Sequence, residues 1–109
     1  MRAERMVADF ARAATDRGIP TVALVARAFS GRGRYRTRLR GWYLKPDHSI
    51  AVAEDGHFYI LSVATSLRAR LSGIELAPSV PPLTIGEGAR DGESLPLATL
   101  LALRLDEPL

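Results

Sequence analysis

Residues 34–63 read RYRTRLRGWYLKPDHSIAVAEDGHFYILSV, and this stretch decides the fold. Its apolar and aromatic segments are separated by two short groups of turn-forming residues, Pro46-Asp47 and Asp55-Gly56. Proline fixes φ, aspartate bonds its own backbone in turns, and Asp-Gly is a strong hairpin signal. The pattern therefore predicts consecutive antiparallel strands. They lie at residues 34–44, 49–54 and 57–63.

A further strand is predicted just before this stretch, at residues 21–29, with a turn at residues 30–33. Alanine, leucine and arginine also favour helix, so a helix over residues 22–29 is the alternative. With the first strand included, residues 21–63 are predicted to form a three- to four-stranded antiparallel meander.

Two-residue turns would place Tyr43 opposite Ile50 and Val52 opposite Tyr59. One sheet face is then predicted to carry Leu39, Tyr43, Ile50, Val52, Tyr59 and Leu61. The opposite face is predicted to carry Trp42, Leu44, Ala51, Ala53, Phe58 and Ile60. Because both faces are apolar, both need cover. The N-terminal helix can cover one face, and the other requires the C-terminal helix or a second subunit. We therefore expect a homodimer that buries Trp42, Phe58 or Ile60.

Helices are predicted on both sides of the meander, which makes the chain a single α+β domain over residues 1–109. Apolar residues at helical spacing predict an N-terminal helix over residues 2–17, ended by Gly18. A short middle helix is predicted within residues 64–73. A C-terminal helix is predicted after Ser94, its expected N-cap, and a short edge strand over residues 83–85.

Arginine stands at every second position from residue 32 to residue 40, and these five residues are called the arginine row below. Its members are Arg32, Arg34, Arg36, Arg38 and Arg40. Side chains alternate across a strand, so all five are predicted to project from one face, about 6.6 Å apart. Residues 17–46 carry a net charge of +8, so the rest of the chain sums to −5. Repulsion of about 0.6 kcal/mol between neighbours in water predicts that something offsets this concentration of charge.

Four interpretations of the arginine row follow from its chemistry. An acidic protein partner is the preferred functional one, and a nucleic acid is the alternative, because arginine binds phosphate in a bidentate manner. Tyr35 and Trp42 lie close by in sequence and could stack on bases. The intramolecular alternative is that the acidic residues of the segment 87–109 neutralise the row, or that its charge merely discourages edge pairing.

No combination of residues in the sequence predicts catalysis or metal binding, so we expect a protein that is not an enzyme and holds no cofactor or metal. His48 and His57 are both predicted at turns, with His57 opposite Glu54. The loop 86–94 lacks the Gly-Lys-Ser/Thr ending of a phosphate-binding loop. Its carboxylates do not follow the order of a calcium-binding loop either. These carboxylates are Glu87, Asp91 and Glu93.

Composition sets the remaining expectations. The 109 residues include no cysteine, which fits a reducing cytoplasm, and no apolar run long enough to span a membrane. Arginine outnumbers lysine by fourteen to one, and asparagine and glutamine are absent. This composition is typical of the GC-rich coding sequence of a GC-rich bacterium, a bias that does not explain why the arginines cluster.

Overall fold

The structure is a computed structural model that describes residues 2–29, 33–63, 76–86 and 94–109. It is an α+β fold with an N-terminal helix, a five-stranded mixed sheet and a C-terminal helix. This confirms the predicted class and both terminal helices. The predicted middle helix lies outside the described residues.

The five strands of the main sheet follow one another in sequence. They are β1 (Val22–Ala28), β2 (Arg34–Tyr43), β3 (Ile50–Ala53), β4 (Phe58–Ile60) and β5 (Ser62–Val63). Their order in space is β4-β3-β2-β1-β5. Strands β1 to β4 form the predicted antiparallel meander, and the helical alternative for residues 22–29 is wrong. Strand β5 pairs with β1 in parallel, which the sequence did not predict.

Strands β4 and β5 lie at opposite ends of the strand order, although only Leu61 separates them in the chain. The amide of Leu61 donates to the carbonyl of Ser49 (2.8 Å), and its carbonyl accepts from the amide of Arg27 (2.7 Å). Leu61 therefore joins the two ends of the sheet. The sheet closes on itself and has an inner and an outer side.

The inner side holds a small apolar cluster that the sheet itself encloses. Its buried members are Leu24, Ala51, Ala53, Tyr59 and Leu61, with Leu39, Tyr43 and Leu76 packed against them. Alanine at two of these positions suits the narrow space inside a tightly closed sheet. Among the described residues, the C-terminal helix that was expected to cover this side packs in the other buried cluster instead, and the inner side chains are buried within the single chain.

Both helices pack on the outer side. These are α1 (Arg2–Asp16) and α2 (Leu97–Asp106). Val7 and Phe10 of α1 and Leu97 and Leu101 of α2 share one buried cluster with the sheet. The sheet contributes Trp42, Leu44, Ile50, Val52 and Phe58 to it. The main apolar core therefore lies between the two helices and strands β2 to β4.

The predicted register of β3 is wrong by one residue. Trp42 pairs with Val52, and Val52 pairs with Phe58. Both connections contain an odd number of residues, five at 45–49 and three at 54–56, whereas two-residue turns were expected. The error at the first connection exchanges the two faces of β3. The error at the second connection cancels the first, so the two faces of β4 are as predicted. Ile50 and Val52 therefore face the helices, and Ala51 and Ala53 face inward.

The C-terminal end of α1 is as predicted from the sequence, whereas the N-cap of α2 is not. Gly18 has the positive φ of 70° that a helix-ending glycine adopts, and the amide of Ile19 bonds to the carbonyl of Ala14 (3.0 Å). Ser94 is not the N-cap of α2. Pro96 holds that position, and the first helical amide, that of Leu97, donates to the carbonyl of Leu83 (2.7 Å).

A second, two-stranded sheet leads into α2. It consists of β6 (Thr84–Ile85) and β7 (Leu95–Pro96), paired antiparallel. The edge strand predicted over residues 83–85 is therefore present. Pro96 lacks an amide hydrogen, which is compatible with its place at the edge of this small sheet.

Candidate functional site

The described part of the arginine row follows the alternation expected of a strand. Arg34, Arg36, Arg38 and Arg40 lie in β2 and are all exposed, whereas Tyr35 between them is buried. They stand on the outer side of the sheet, the side that holds Trp42 further along β2. Arg32 lies outside the described residues. Four of the five predicted site residues are thus together on one exposed surface.

A fifth arginine joins this surface from the neighbouring strand. Arg27 of β1 pairs with Arg34 of β2, and residues paired across antiparallel strands point to the same side. Like charges placed opposite each other destabilise a sheet, so this pair adds to the repulsion within the row. Sequence analysis did not single out Arg27. The turn predicted at residues 30–33 was the signal that could have identified it.

A β-bulge interrupts the pairing of β2 with β1 in the middle of the arginine row. Ala23 pairs with Arg40 and Val25 pairs with Arg36, so β2 carries two extra residues here. The hydroxyl of Thr37 donates to the carbonyl of Leu24 (2.7 Å), which supplies a bond that the bulge removes from the strand pairing. Arg38 lies within the bulge, where the backbone bends and twists more strongly.

The arginine surface has no carboxylate partner among the described residues. Arg40 instead donates to the carbonyl of Thr21 (3.0 Å). Ion pairs within 4.0 Å occur elsewhere in the described ranges. They join Arg12 to Asp9, Arg17 to Asp106 and Lys45 to Asp47. Asp106, one of the acids expected to neutralise the row, therefore pairs with the end of α1. Glu87, Asp91 and Glu93 lie outside the described residues.

The aromatic residues expected to stack on bases are not accessible. Tyr35 is 5% exposed and Trp42 is 7% exposed. The indole N–H of Trp42 donates to the carbonyl of Ile19 (3.0 Å), and its ring meets Phe10 edge to face at 5.9 Å. Phe29, directly after β1, is 73% exposed and was overlooked. Its position two residues after Arg27 places it beside the arginine surface.

The three residues expected at a subunit interface differ in accessibility. Trp42 and Phe58 are buried against the helices of the same chain. Ile60 is 47% exposed. Of these three, only Ile60 presents an apolar side chain to solvent.

The histidines do not form the expected pair. His57 hydrogen-bonds with Ala53 rather than lying opposite Glu54, because the turn has three residues. His48 has a positive φ of 61°, which is unfavourable for a residue with a Cβ atom. Its ring lies parallel to that of Tyr43, with centroids 3.8 Å apart. His48 is thus fixed by its loop and by stacking.

Two carboxylates organise the turns on either side of β3. Burial opposes ionisation of Asp47, but bonds from the hydroxyl and amide of Ser49 and the charges of Lys45 and His48 outweigh it, so the pKa of Asp47 is lowered. Asp55 accepts from the hydroxyl of Tyr59 (2.6 Å). Burial, followed by this bond and the charge of Asp55, raises the pKa of Tyr59 to about 12.

The other predicted sites give few further observations. The loop 87–93 lies outside the described residues. Within the described ranges, no three histidine, aspartate or glutamate side chains are grouped as metal ligands would be. Neither described helix has the length and apolar character to cross a membrane. No protein-family model, curated protein or solved structure matches the chain.

Proposed function

We propose that this chain is a cytoplasmic, non-enzymatic interaction protein whose arginine row binds an acidic protein partner. The observation that carries the proposal is the exposure of Arg34, Arg36, Arg38 and Arg40 without a carboxylate partner among the described residues. Arg27 extends the surface onto β1. Repulsion among these cations opposes folding, and an acidic partner would relieve it on binding.

Nucleic acid is the alternative partner, and Phe29 is the observation that favours it. Single-strand binders combine a cationic track for the backbone with aromatic rings that stack on bases. Phe29 is 73% exposed and follows Arg27 by two residues, so it meets the second requirement. The row itself meets the first.

The decisive experiment compares two double variants of equal charge. Arg36→Gln with Arg38→Gln alters the row, and Arg2→Gln with Arg5→Gln alters exposed arginines of α1. Proteins co-purifying from the native host with the wild type and the α1 variant, but not with the row variant, are the expected result. Equal capture by all three would contradict a role for the row.

The same variants separate the two partner classes. A nucleic-acid binder prefers single-stranded DNA or RNA to heparin at equal salt, and Phe29→Ala weakens it by roughly 1–3 kcal/mol through lost stacking. Duplex DNA binding would show a log–log salt slope shallower by about 0.9 for each arginine contact removed. If the partner is an acidic protein, Phe29→Ala should not weaken binding of that partner. Single-stranded nucleic acid should then not be preferred to heparin.

Self-association is proposed through Ile60, the accessible member of the three interface residues. Lys45, Pro82 and Ile85 lie around the same shallow groove as Ile60. A dimer that buries Ile60 should sediment at about twice the mass of the 11.9 kDa chain, and Ile60→Asp should return it to the monomer. A monomer at micromolar wild-type concentration would exclude this assembly.

A further inference from the structure

A groove opens at the end of the closed sheet where β1 begins and β2 ends. It has a volume of ≈ 350 Å³. Phe10, Ile19, Pro20, Val22, Ala23, Gly41, Trp42, Tyr43, His48, Arg104, Pro108 and Leu109 line it. The volume is at the lower end of the range of about 300–1,000 Å³ that is usual for small-molecule sites. The groove does not include any member of the arginine row.

Aromatic side chains that line the groove are held in place by hydrogen bonds and stacking. On the outer side of the sheet, Trp42 donates to the carbonyl of Ile19 (3.0 Å). On the inner side, the hydroxyl of Tyr43 accepts from the amide of Val25 (3.0 Å), and His48 stacks on the Tyr43 ring. Rings fixed in this way do not have to be ordered when a ligand binds.

The loop that carries His48 is held in an uncommon conformation. His48 has φ of 61°, and non-glycine residues with such strained backbones concentrate at functional sites. Ser49 braces the loop by donating to Asp47 through its amide (2.9 Å) and its hydroxyl (2.7 Å). The brace keeps the imidazole against Tyr43 at the groove rather than in solvent.

Arg104 gives the groove a positive charge and hydrogen-bond donors. Its Nε donates to the carbonyl of Leu44 (2.8 Å), and one terminal nitrogen donates to the carbonyl of Glu107 (2.8 Å). Of the five N–H donors of a guanidinium group, the other three have no partner among the described residues. The residues that line the groove include no aspartate or glutamate side chain.

We propose that this groove binds a small planar organic acid, with its apolar ring against the aromatic residues that line the groove and its carboxylate on Arg104. Flat rings match fixed aromatic side chains through stacking and edge contacts. A carboxylate matches the planar donor fork of arginine better than a neutral polar group does. This site is separate from the arginine row and does not depend on the function proposed for it.

Trp42 provides a direct readout because it is the single tryptophan of the chain. The probe is naphthoate, with the matching uncharged naphthamide as its control. In ¹H–¹⁵N correlation spectra, the single indole N–H resonance should shift in a saturable manner with naphthoate. Loss of the charge-assisted bond should make naphthamide binding roughly tenfold weaker.

Arg104→Gln and Arg36→Gln form a matched pair that removes the same charge inside and outside the groove. Arg104→Gln should weaken naphthoate binding roughly tenfold, and Arg36→Gln should change it by less than about twofold. His48→Asn removes the imidazole but keeps a residue that tolerates positive φ, and it should weaken binding while the fold persists. Ala23→Leu fills the groove from an exposed strand position and should abolish the Trp42 shift.

Three results would overturn the proposal. One is the absence of a saturable Trp42 shift at up to about 10 mM naphthoate, where even a fragment-sized ligand with good contacts should bind. The second is an equal loss of affinity in Arg36→Gln and Arg104→Gln, which would indicate nonspecific attraction to the basic protein. The third is unchanged binding by Ala23→Leu, which remains decisive even if Arg104→Gln does not fold.

Discussion

The amide of Arg27 donates a 2.7 Å hydrogen bond to the carbonyl of Leu61, the residue that separates β4 from β5. Leu61 also donates from its own amide to the carbonyl of Ser49, directly before β3. This one residue is therefore bonded on one side to the segment that begins β3 and on the other side to β1. The closure encloses the inner cluster and leaves the outer side for the helices and the arginine row. The fold thus places its cationic surface on the outer side of a closed sheet.

The closing strand supplies a matched pair of substitutions. Leu61 is 0% exposed, whereas its neighbour Ile60 is 47% exposed. Leu61→Ala should lower the free energy of unfolding by about 2–5 kcal/mol through lost burial and a cavity. Ile60→Ala should cost less than about 1 kcal/mol, because nearly half of Ile60 is already exposed to water. Urea unfolding measures both, and equal losses would contradict closure at Leu61.

Gly56 is predicted to require glycine for its backbone conformation. Its φ is 84°, and the nearest atom to an added Cβ would be the Cα of Ala8 at 3.8 Å, so there is space for a side chain. Gly56→Val should therefore destabilise by about 1–3 kcal/mol through backbone strain alone. Gly56→Asn is the control, since asparagine tolerates this region and should cost less. Equal melting temperatures for Gly56→Val and the wild type would refute the strain.

The parts of the fold that depend on local pattern were predictable. The helix over residues 2–17 is present as Arg2–Asp16, and the alternation of arginine with Tyr35, Thr37 and Leu39 gives the exposure expected of a strand. Helical spacing and strand alternation are properties of adjacent residues, so the sequence carries them directly.

The register of β3 and the closure of the sheet were not predictable in the same way. Asp55-Gly56 signals a turn, but both a two-residue turn and a three-residue turn ending in a positive-φ glycine fit it. Ala51 and Ala53 were a usable clue, because small residues on one face indicate a confined space. Closure depends on pairing between Leu61 and Arg27, 34 residues apart in the chain, and no local signal specifies such a contact.

The candidate site was only partly predictable, because some of its residues come together through contacts between distant parts of the chain. The exposed arginines of β2 follow from alternation, but Arg27 enters through the pairing of β1 with β2. The groove combines Phe10 of α1, Trp42 of β2 and Arg104 of α2. Residues this far apart in sequence are brought together only by the packing of both helices on the outer side.

The arginine row should cost stability rather than supply it. Arg36→Gln with Arg38→Gln removes cations that have no carboxylate partner among the described residues. The free energy of unfolding should stay within about 0.5 kcal/mol of the wild-type value or rise slightly, because repulsion is relieved. A clear loss of stability, together with no binding by the wild type, would instead assign the row to a structural ion-pair network.

Tyr59 and Asp55 predict a loss of stability at alkaline pH. The pKa of Tyr59 is about 12 in the folded protein, against about 10 for an ordinary tyrosine. Between these values the folded chain keeps a proton that the unfolded chain releases. The stabilisation from protonated Tyr59 is therefore complete below about pH 10 and is lost, by about 1–3 kcal/mol, as the pH rises to 12.

Urea unfolding at intervals from pH 9 to pH 11.5 measures this loss. The difference in phenolate absorbance between the wild type and Tyr59→Phe isolates the ionisation of Tyr59 from that of the other two tyrosines. Tyr59→Phe cannot ionise, so its stability should decline less steeply over the same interval than that of the wild type. Asp55→Asn removes the charge that accepts the 2.6 Å bond and should lower the pKa of Tyr59. That pKa should still exceed 10, because burial is the largest cause of the shift. A Tyr59→Phe variant with the same alkaline decline as the wild type would show that another group governs it.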